Sequence, residues 1–191
     1  MTRGRLEAFS DGVIAIIITI MVLELKVPHG IDLAALRPLV PKLASYTMSF
    51  VMLGIYWNNH HHLMHATQHV NGRVLWANMH LLFWLSLFPV VMAWAGESGF
   101  AAAPVAAWGA VQFMAGTAYF ILVRALLALH GEDSPLAAAI GRDFKGIVSL
   151  VFYAAAIVVA WASPTLSSAI YVLVALIWFV PDKRIERTLG K

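Results

Sequence analysis

The sequence lacks cysteine and carries little charge. None of its 191 residues is Cys, which excludes disulfide bonds, thiolate metal sites and thiol redox chemistry. Charged residues make up 12% of the chain, whereas soluble domains usually carry about a quarter. The sequence also lacks His-Glu-x-x-His, and no serine has His and Asp partners at a spacing typical of nucleophilic catalysis. We therefore expect neither a soluble domain nor an enzyme.

What the sequence has instead is hydrophobic length. Hydrophobic residues make up 61% of it, and a helix needs about 20 apolar residues to cross a bilayer. The pattern predicts an all-α polytopic membrane protein in which residues 1–191 form one six-helix domain. The connectors have turn chemistry, and Ser163-Pro164 is so short that the last two segments must form a hairpin. The six apolar segments run roughly over 6–25, 39–62, 74–95, 101–128, 144–162 and 165–181.

The basic residues indicate topology rather than nucleic-acid binding, because they lie at segment ends and not on one face. With a cytoplasmic N-terminus, ten of the thirteen Lys and Arg fall on the cytoplasmic side, as the positive-inside rule requires. We expect a plasma-membrane protein with both termini in the cytoplasm. The ten are Arg3, Arg5, Arg73, Arg124, Arg142, Lys145, Lys183, Arg184, Arg187 and Lys191, and the other three are Lys26, Arg37 and Lys42.

The first segment opens with the charged stretch RLEAFSDG. On a helix each residue advances about 100°, so the residues can be assigned to faces. Asp11 lies about 140° around the helix from Ile16. One helix therefore has two apolar faces, and the carboxylate belongs to only one of them. The other face carries Arg5, Phe9, Gly12, Ile16, Ile20 and Leu23 within about 40° of one line, with Thr19 on its flank.

A carboxylate within a membrane span is costly and normally faces the protein interior with a partner. We therefore expect Asp11 to point into its own subunit. Ser10 is expected to bond to another neighbour or to its own helix. In the alternative interpretation, Ser10 and Asp11 cap a helix that begins at that point. The candidate partners of Asp11 in the third segment are Asn78, His80, Trp76 and Trp84.

Arg5-x-x-x-Phe9-Ser10-Asp11 resembles the signature of the lysosomal and bacterial potassium-channel family of transmembrane protein 175. The resemblance extends to Trp57-x-x-His60-His61 and to Asn78 and Pro89. It implies a homotetramer of six-helix chains whose first helices line a central pore. The signature residues Arg5, Phe9, Ser10 and Asp11 would hold the packing of the pore helix. The constriction would fall on Ile16, followed by Ile20 and Leu23, with the Thr19 hydroxyl close to the pore line.

The sequence has no Thr-Val-Gly-Tyr-Gly filter, so carbonyl oxygens cannot replace the hydration shell of the ion. A ring of four Ile16 side chains would instead make ions shed part of their water, which potassium does more easily than sodium. When narrow and dry, the same ring is a dewetting gate. The expected partners are further copies of the chain, lipid and monovalent cations. We expect no cofactor, no metal site and no nucleic acid.

Two alternatives remain open from the residues alone. The first is a proton- or cation-coupled transporter that uses Asp11 and His80 as a relay. The second is a metal or haem protein based on the histidines between 60 and 69, in which His61, His65 and His69 are spaced four residues apart. The histidines fit structural roles at the membrane interface better, because no acidic ligand lies among them. Arg124 is expected to snorkel to the cytoplasmic headgroups.

Overall fold

The structure is a computed structural model and describes residues 2–28, 30–131, 133–140 and 143–179. Those residues form helices and connecting turns without any β-strand, so the all-α prediction is confirmed. The α-helices are α1 (Arg3–Ile20), α2 (Val40–Ala66), α3 (Gly72–Ser86), α4 (Phe88–Glu97), α5 (Ala102–His130), α6 (Pro135–Ile140), α7 (Phe144–Val159) and α8 (Pro164–Phe179). Two 3₁₀ helices, Met21–Glu24 and Leu33–Leu39, extend the end of α1 and precede α2.

Four stretches in the described residues are long and apolar enough to cross a membrane. The apolar helices α7 and α8 are shorter, with 16 residues each. These elements overlap the six predicted apolar segments, although the predicted end of the last one, 180–181, lies outside the described residues, and six membrane spans stay a prediction. The four long stretches are Arg3–Glu24, Leu33–Ala66, Gly72–Glu97 and Ala102–His130.

The predicted third segment is two helices rather than one. Helix α3 ends at Ser86, and α4 begins at Phe88 with Pro89 in its first turn. Proline has no N–H, and its ring conflicts with the carbonyl four residues earlier, so the helix cannot continue through it undisturbed. The short helix α6 was not predicted either. Its start is capped by Ser134, whose hydroxyl oxygen accepts a hydrogen bond from the Ala137 N–H.

Helix α5 lies at the centre of the bundle and packs against α3, α4, α7 and α8. At Gly109, α5 leaves no room for a side chain, because an added Cβ would lie against the Tyr171 hydroxyl of α8. That hydroxyl donates to the Val105 carbonyl at 3.1 Å. Small residues at such crossings let membrane helices pack closely. The α5 residues with buried side chains include Val105, Trp108, Val111, Gln112, Ala115, Ala118, Leu122, Val123 and Leu126.

Helices α7 and α8 form the predicted hairpin, since four residues separate Val159 from Pro164. The Ser167 hydroxyl donates to the Ala156 carbonyl at 2.8 Å and ties the two helices together. Helix α1 has a different position. It packs against α2 and α3 through one face and leaves the opposite face uncovered by the rest of the chain.

Candidate functional site

The exposed face of α1 is apolar. The Ile16 side chain is 61% exposed and Leu23 in the following 3₁₀ turn is 76% exposed, whereas Ile14 is 1% exposed. Ile20 and Phe9 lie on the exposed side as well. The residues that the helical wheel placed on one line therefore all face away from the other helices of the chain. This face is therefore a candidate lining for a conduit between several copies of the chain.

Thr19 adds one polar group to that face. It is exposed, and its hydroxyl donates to the carbonyls of Ile16 at 2.9 Å and Ala15 at 3.0 Å. A hydroxyl has one hydrogen to donate and two lone pairs that accept. Because its hydrogen is directed to its own helix, the oxygen keeps its lone pairs for a cation or for water on the exposed side.

On the opposite face, a buried chain of hydrogen bonds joins three helices. The His60 Nε2 atom of α2 lies 2.8 Å from Asn78 Oδ1 of α3, and Asn78 Nδ2 donates to Ser10 Oγ of α1 at 2.9 Å. Ser10 in turn donates to the Leu6 carbonyl at 2.9 Å. An amide oxygen can only accept, so His60 Nε2 carries the hydrogen. All three side chains are fully buried, and the chain of bonds fixes which face of α1 turns inward.

Asp11 has a different partner from those predicted. Its carboxylate accepts a hydrogen bond from the Trp57 indole N–H of α2 at 3.0 Å, so it does point toward a neighbouring helix of its own chain. Helix α1 begins at Arg3 with Thr2 as its N-cap, which excludes the alternative in which Ser10 and Asp11 cap a helix.

The predictions for His80, Trp76 and Trp84 as partners of Asp11 are wrong. Trp84 donates to His80 Nε2 at 2.9 Å within α3, and Trp76 is largely exposed. The reason is the rotation of α3: Asn78 faces α1, and positions two residues to either side lie about 200° away from it. Asn78, also predicted as a partner of Asp11, instead binds Ser10, the neighbouring residue of the same stretch.

Two further bonds attach the start of α1 to the end of α2. The Arg3 guanidinium donates to the carbonyls of Thr67 at 3.0 Å and His65 at 3.3 Å. These carbonyls lack helical partners, and a cation is favourable at a helix C-terminus. Glu7 lies 3.3 Å from His61 Nδ1.

Arg5 is exposed and makes no hydrogen bond or ion pair within the described residues, so Arg5 and Phe9 share the outer face with Ile16.

The histidines do not converge on a metal site in the described part of the chain, where no group of three or more His, Asp or Glu is placed to hold an ion. The predicted shared face of His65 and His69 is wrong because α2 ends at Ala66. The His69 ring instead lies 4.5 Å from that of His130. Asp11 and His80, the proposed relay, bond to different tryptophans.

Trp57 and His60 of α2 were not predicted as residues that bind the polar face of α1. A signal for them was present in the sequence. Residues three apart lie on the same side of a helix, so Trp57 and His60 share one side of α2. The Trp57 indole N–H donates to Asp11 directly, whereas His60 reaches Ser10 only through Asn78.

Comparison with known proteins shows what this chain is similar to. Residues 5–89 match the family described as the endosomal/lysosomal potassium channel TMEM175. A potassium channel of Chryseobacterium sp. (strain P1-3) is 53% identical over 189 residues, which cover 99% of this chain and 98% of that protein. A potassium channel of Streptomyces collinus (strain DSM 40733 / Tue 365) is 39% identical over 90 residues, covering 45% and 44% of the two chains.

The fold comparison covers nearly the whole chain. The crystal structure of a lysosomal potassium-selective channel TMEM175 homolog from Chamaesiphon minutus superposes with a TM-score of 0.79 and 26% identity, over 93% of this chain and 96% of that one. The matched family consists of ion channels, which are not a class of enzymes. With this fold, its long apolar helices and a relative more than half identical from end to end, the chain is a multi-pass membrane protein that belongs to the TMEM175 family.

Proposed function

We propose that the protein is a potassium-selective channel in which four copies of α1 surround a common pore. The observation that carries this proposal is the two-sided character of α1. Ser10 and Asp11 bond to α2 and α3, while the opposite face with Ile16 is apolar and uncovered. A face of this kind is suited to line a conduit when copies of the whole chain, each a single domain with six apolar segments, assemble around an axis.

The constriction is a ring of Ile16 side chains. An apolar ring offers no ligand to an ion, so passage requires partial loss of the hydration shell, and a narrow ring empties of water and closes. Potassium gives up water more readily than sodium, which favours potassium. One helical turn away, the Thr19 oxygen lone pairs partly replace the lost water. Ile20 and Leu23 continue the lining, and potassium passes without a cofactor or a coupled chemical step.

Arg5 and Phe9 are assigned to contacts between copies. Both are exposed on the face of α1 that carries Ile16, and in a tetramer this face meets its symmetry mates. Ser10 and Asp11, with Asn78 as the partner of Ser10, set the rotation of α1 within each chain. The signature motif thus has two residues that act inside the subunit and two that act between subunits.

The protein is placed in the plasma membrane with both termini in the cytoplasm. The Arg3 bond to Thr67 brings the start of α1 to the end of α2. At the other end of α2, Lys42 forms an ion pair with Glu97 of α4 at 2.8 Å. Alternate helix ends therefore meet at two levels. Of the eight Lys and Arg in the described residues, five belong to the level of Arg3, which the positive-inside rule assigns to the cytoplasm.

The Ile16→Asn variant tests the constriction. Purified protein is reconstituted in liposomes and planar bilayers, and potassium and sodium currents are recorded. We expect a larger leak, of the order of tenfold, and a reduced preference for potassium, because an amide ring stays wet and offers oxygen ligands to both ions. Ile147→Asn is the matched control, since Ile147 of α7 is similarly exposed, at 54%. Unchanged currents in Ile16→Asn, or equal changes in both variants, would contradict the assignment.

A further inference from the structure

A second feature of the molecule lies far from the exposed face of α1. Helices α3 and α5 border an open groove of about 910 Å³. No acidic side chain lines it in the part of the chain that the structure describes. The side chains that determine its chemistry are Arg73, Trp76 and His80 of α3 and Phe120, Ile121 and Arg124 of α5.

The two arginines of the groove are exposed and make no hydrogen bond or ion pair with the described residues. A guanidinium presents several N–H donors in a planar fork that matches the oxygens of a phosphate. Two such groups in one groove, without a carboxylate among its lining residues, create a site with unbalanced positive charge. Charge complementarity therefore calls for an anion with more than one oxygen.

The arginines also lie near the same end of the bundle. Arg73 follows the first residue of α3, and Arg124 lies six residues before the end of α5 at His130, which is about 9 Å along a helix. These two helix ends adjoin each other, since the His130 ring accepts from the Gln68 N–H at 3.1 Å. Trp76, one turn below Arg73, is 78% exposed, and tryptophan favours the headgroup level of a membrane.

The groove changes character with depth. Away from the arginines it continues between Phe120 and Ile121 on α5, and Ile121 is 42% exposed. The groove is charged at the arginines, has the Trp76 indole at the boundary and is apolar farther down. A phospholipid has the same order, from its charged headgroup through the interfacial region to its acyl chains. Basic pockets between membrane helices are known to hold anionic headgroups, and the level of Arg73 is the one that the positive-inside rule assigns to the cytoplasmic leaflet.

We propose that the groove between α3 and α5 binds one anionic phospholipid, with its phosphate held by Arg73 and Arg124 and an acyl chain along Phe120 and Ile121. The site is independent of the pore proposal, because none of its residues lies on α1. Each subunit would carry its own lipid at the end of the bundle where α1 begins.

The test uses the full chain, delipidated in neutral detergent, with phosphatidylglycerol or phosphatidylcholine added and bound lipid counted by native mass spectrometry. We expect one phosphatidylglycerol per chain, bound at least tenfold more tightly than phosphatidylcholine. The double variant Arg73→Gln/Arg124→Gln should lose that preference. The control Lys26→Gln/Arg37→Gln removes the same charge from exposed positions elsewhere and should keep it. Equal binding of both lipids, or equal losses in both double variants, would overturn the proposal.

A second measurement distinguishes lipid from a neighbouring copy of the chain. Because the natural sequence has no cysteine, Ile121→Cys introduces the only thiol. We expect rapid maleimide labelling in detergent that slows at least fivefold when phosphatidylglycerol is added, but not with phosphatidylcholine. Disulfide-linked dimers in native membranes, or a thiol that stays unlabelled without lipid, would assign the groove to subunit contact and refute lipid binding. If the double arginine variant does not fold, this labelling measurement still decides whether the groove binds lipid.

Discussion

Helices α1 and α5 have similar apolar sequences and opposite environments. Helix α5 is surrounded by α3, α4, α7 and α8, and its buried side chains cover most of its circumference. Helix α1 buries Leu6, Ser10, Ile14 and Ile17 on one face. Close packing holds α5, whereas hydrogen bonds from polar residues hold α1. Without a hydrophobic driving force between helices in lipid, packing and hydrogen bonds are the two available means of association.

The largest effect is expected where α5 depends on packing. Gly109→Ala should lower the free energy of unfolding by about 1–3 kcal/mol, because the new methyl group displaces Tyr171 from close contact and weakens its bond to Val105. The measurement is SDS-induced unfolding in mixed micelles. Gly54→Ala in α2 is the control, since nothing lies within 4 Å of its added Cβ. Equal free energies of unfolding in the two variants would refute the claim that close packing at Gly109 stabilises α5.

A smaller effect is expected where α1 depends on hydrogen bonds. Asn78→Leu removes the acceptor of His60 and the donor to Ser10, at a cost of about 1–2 kcal/mol. Hydrogen exchange should accelerate in α1 and stay unchanged in α5, as measured by mass spectrometry in nanodiscs. In the control Asn59→Leu, the lost side-chain bond is to Ile55 of the same helix, and α1 should stay protected. If hydrogen exchange accelerated equally in α1 and α5, the claim that hydrogen bonds hold α1 and packing holds α5 would be contradicted.

The smallest effect is expected at Asp11. Asp11→Asn keeps an oxygen that accepts from the Trp57 indole and loses the charge assistance of that bond, so the cost should stay near 0.5 kcal/mol. Asp11→Leu removes the acceptor altogether and should cost about twice as much. Both are measured by the same SDS titration. If Asp11→Asn proves more costly than Asn78→Leu, charge rather than the buried hydrogen-bond chain holds α1.

Much of the fold follows from the sequence, because span length and the 3.6-residue period are local properties. The apolar runs predict most helix ends to within a few residues, but not the break between α3 and α4 or the short helix α6. The wheel groups Ile16, Ile20 and Leu23 on one side of the first segment. The partners of Asp11 could not be derived in the same way. Side chains that face lipid and side chains that face protein are both apolar in a membrane protein, so periodicity does not reveal how α3 is rotated. Trp76 and His80 illustrate this, since they lie near Asn78 in sequence and on another face in space.

The 3₁₀ segment Met21–Glu24 determines how the exposed face of α1 continues beyond Ile20. Residues in an overwound helix of this kind advance by about 120° rather than 100°, so positions three apart are eclipsed. Leu23 therefore lies at about the same angle around the helix axis as Ile20. In a regular α-helix the two side chains would lie some 60° apart. The winding of this turn thus aligns Leu23 with Ile20, and relaxing it to a regular α-helix would rotate Leu23 by about 60°, to within about 20° of the line of Ile16.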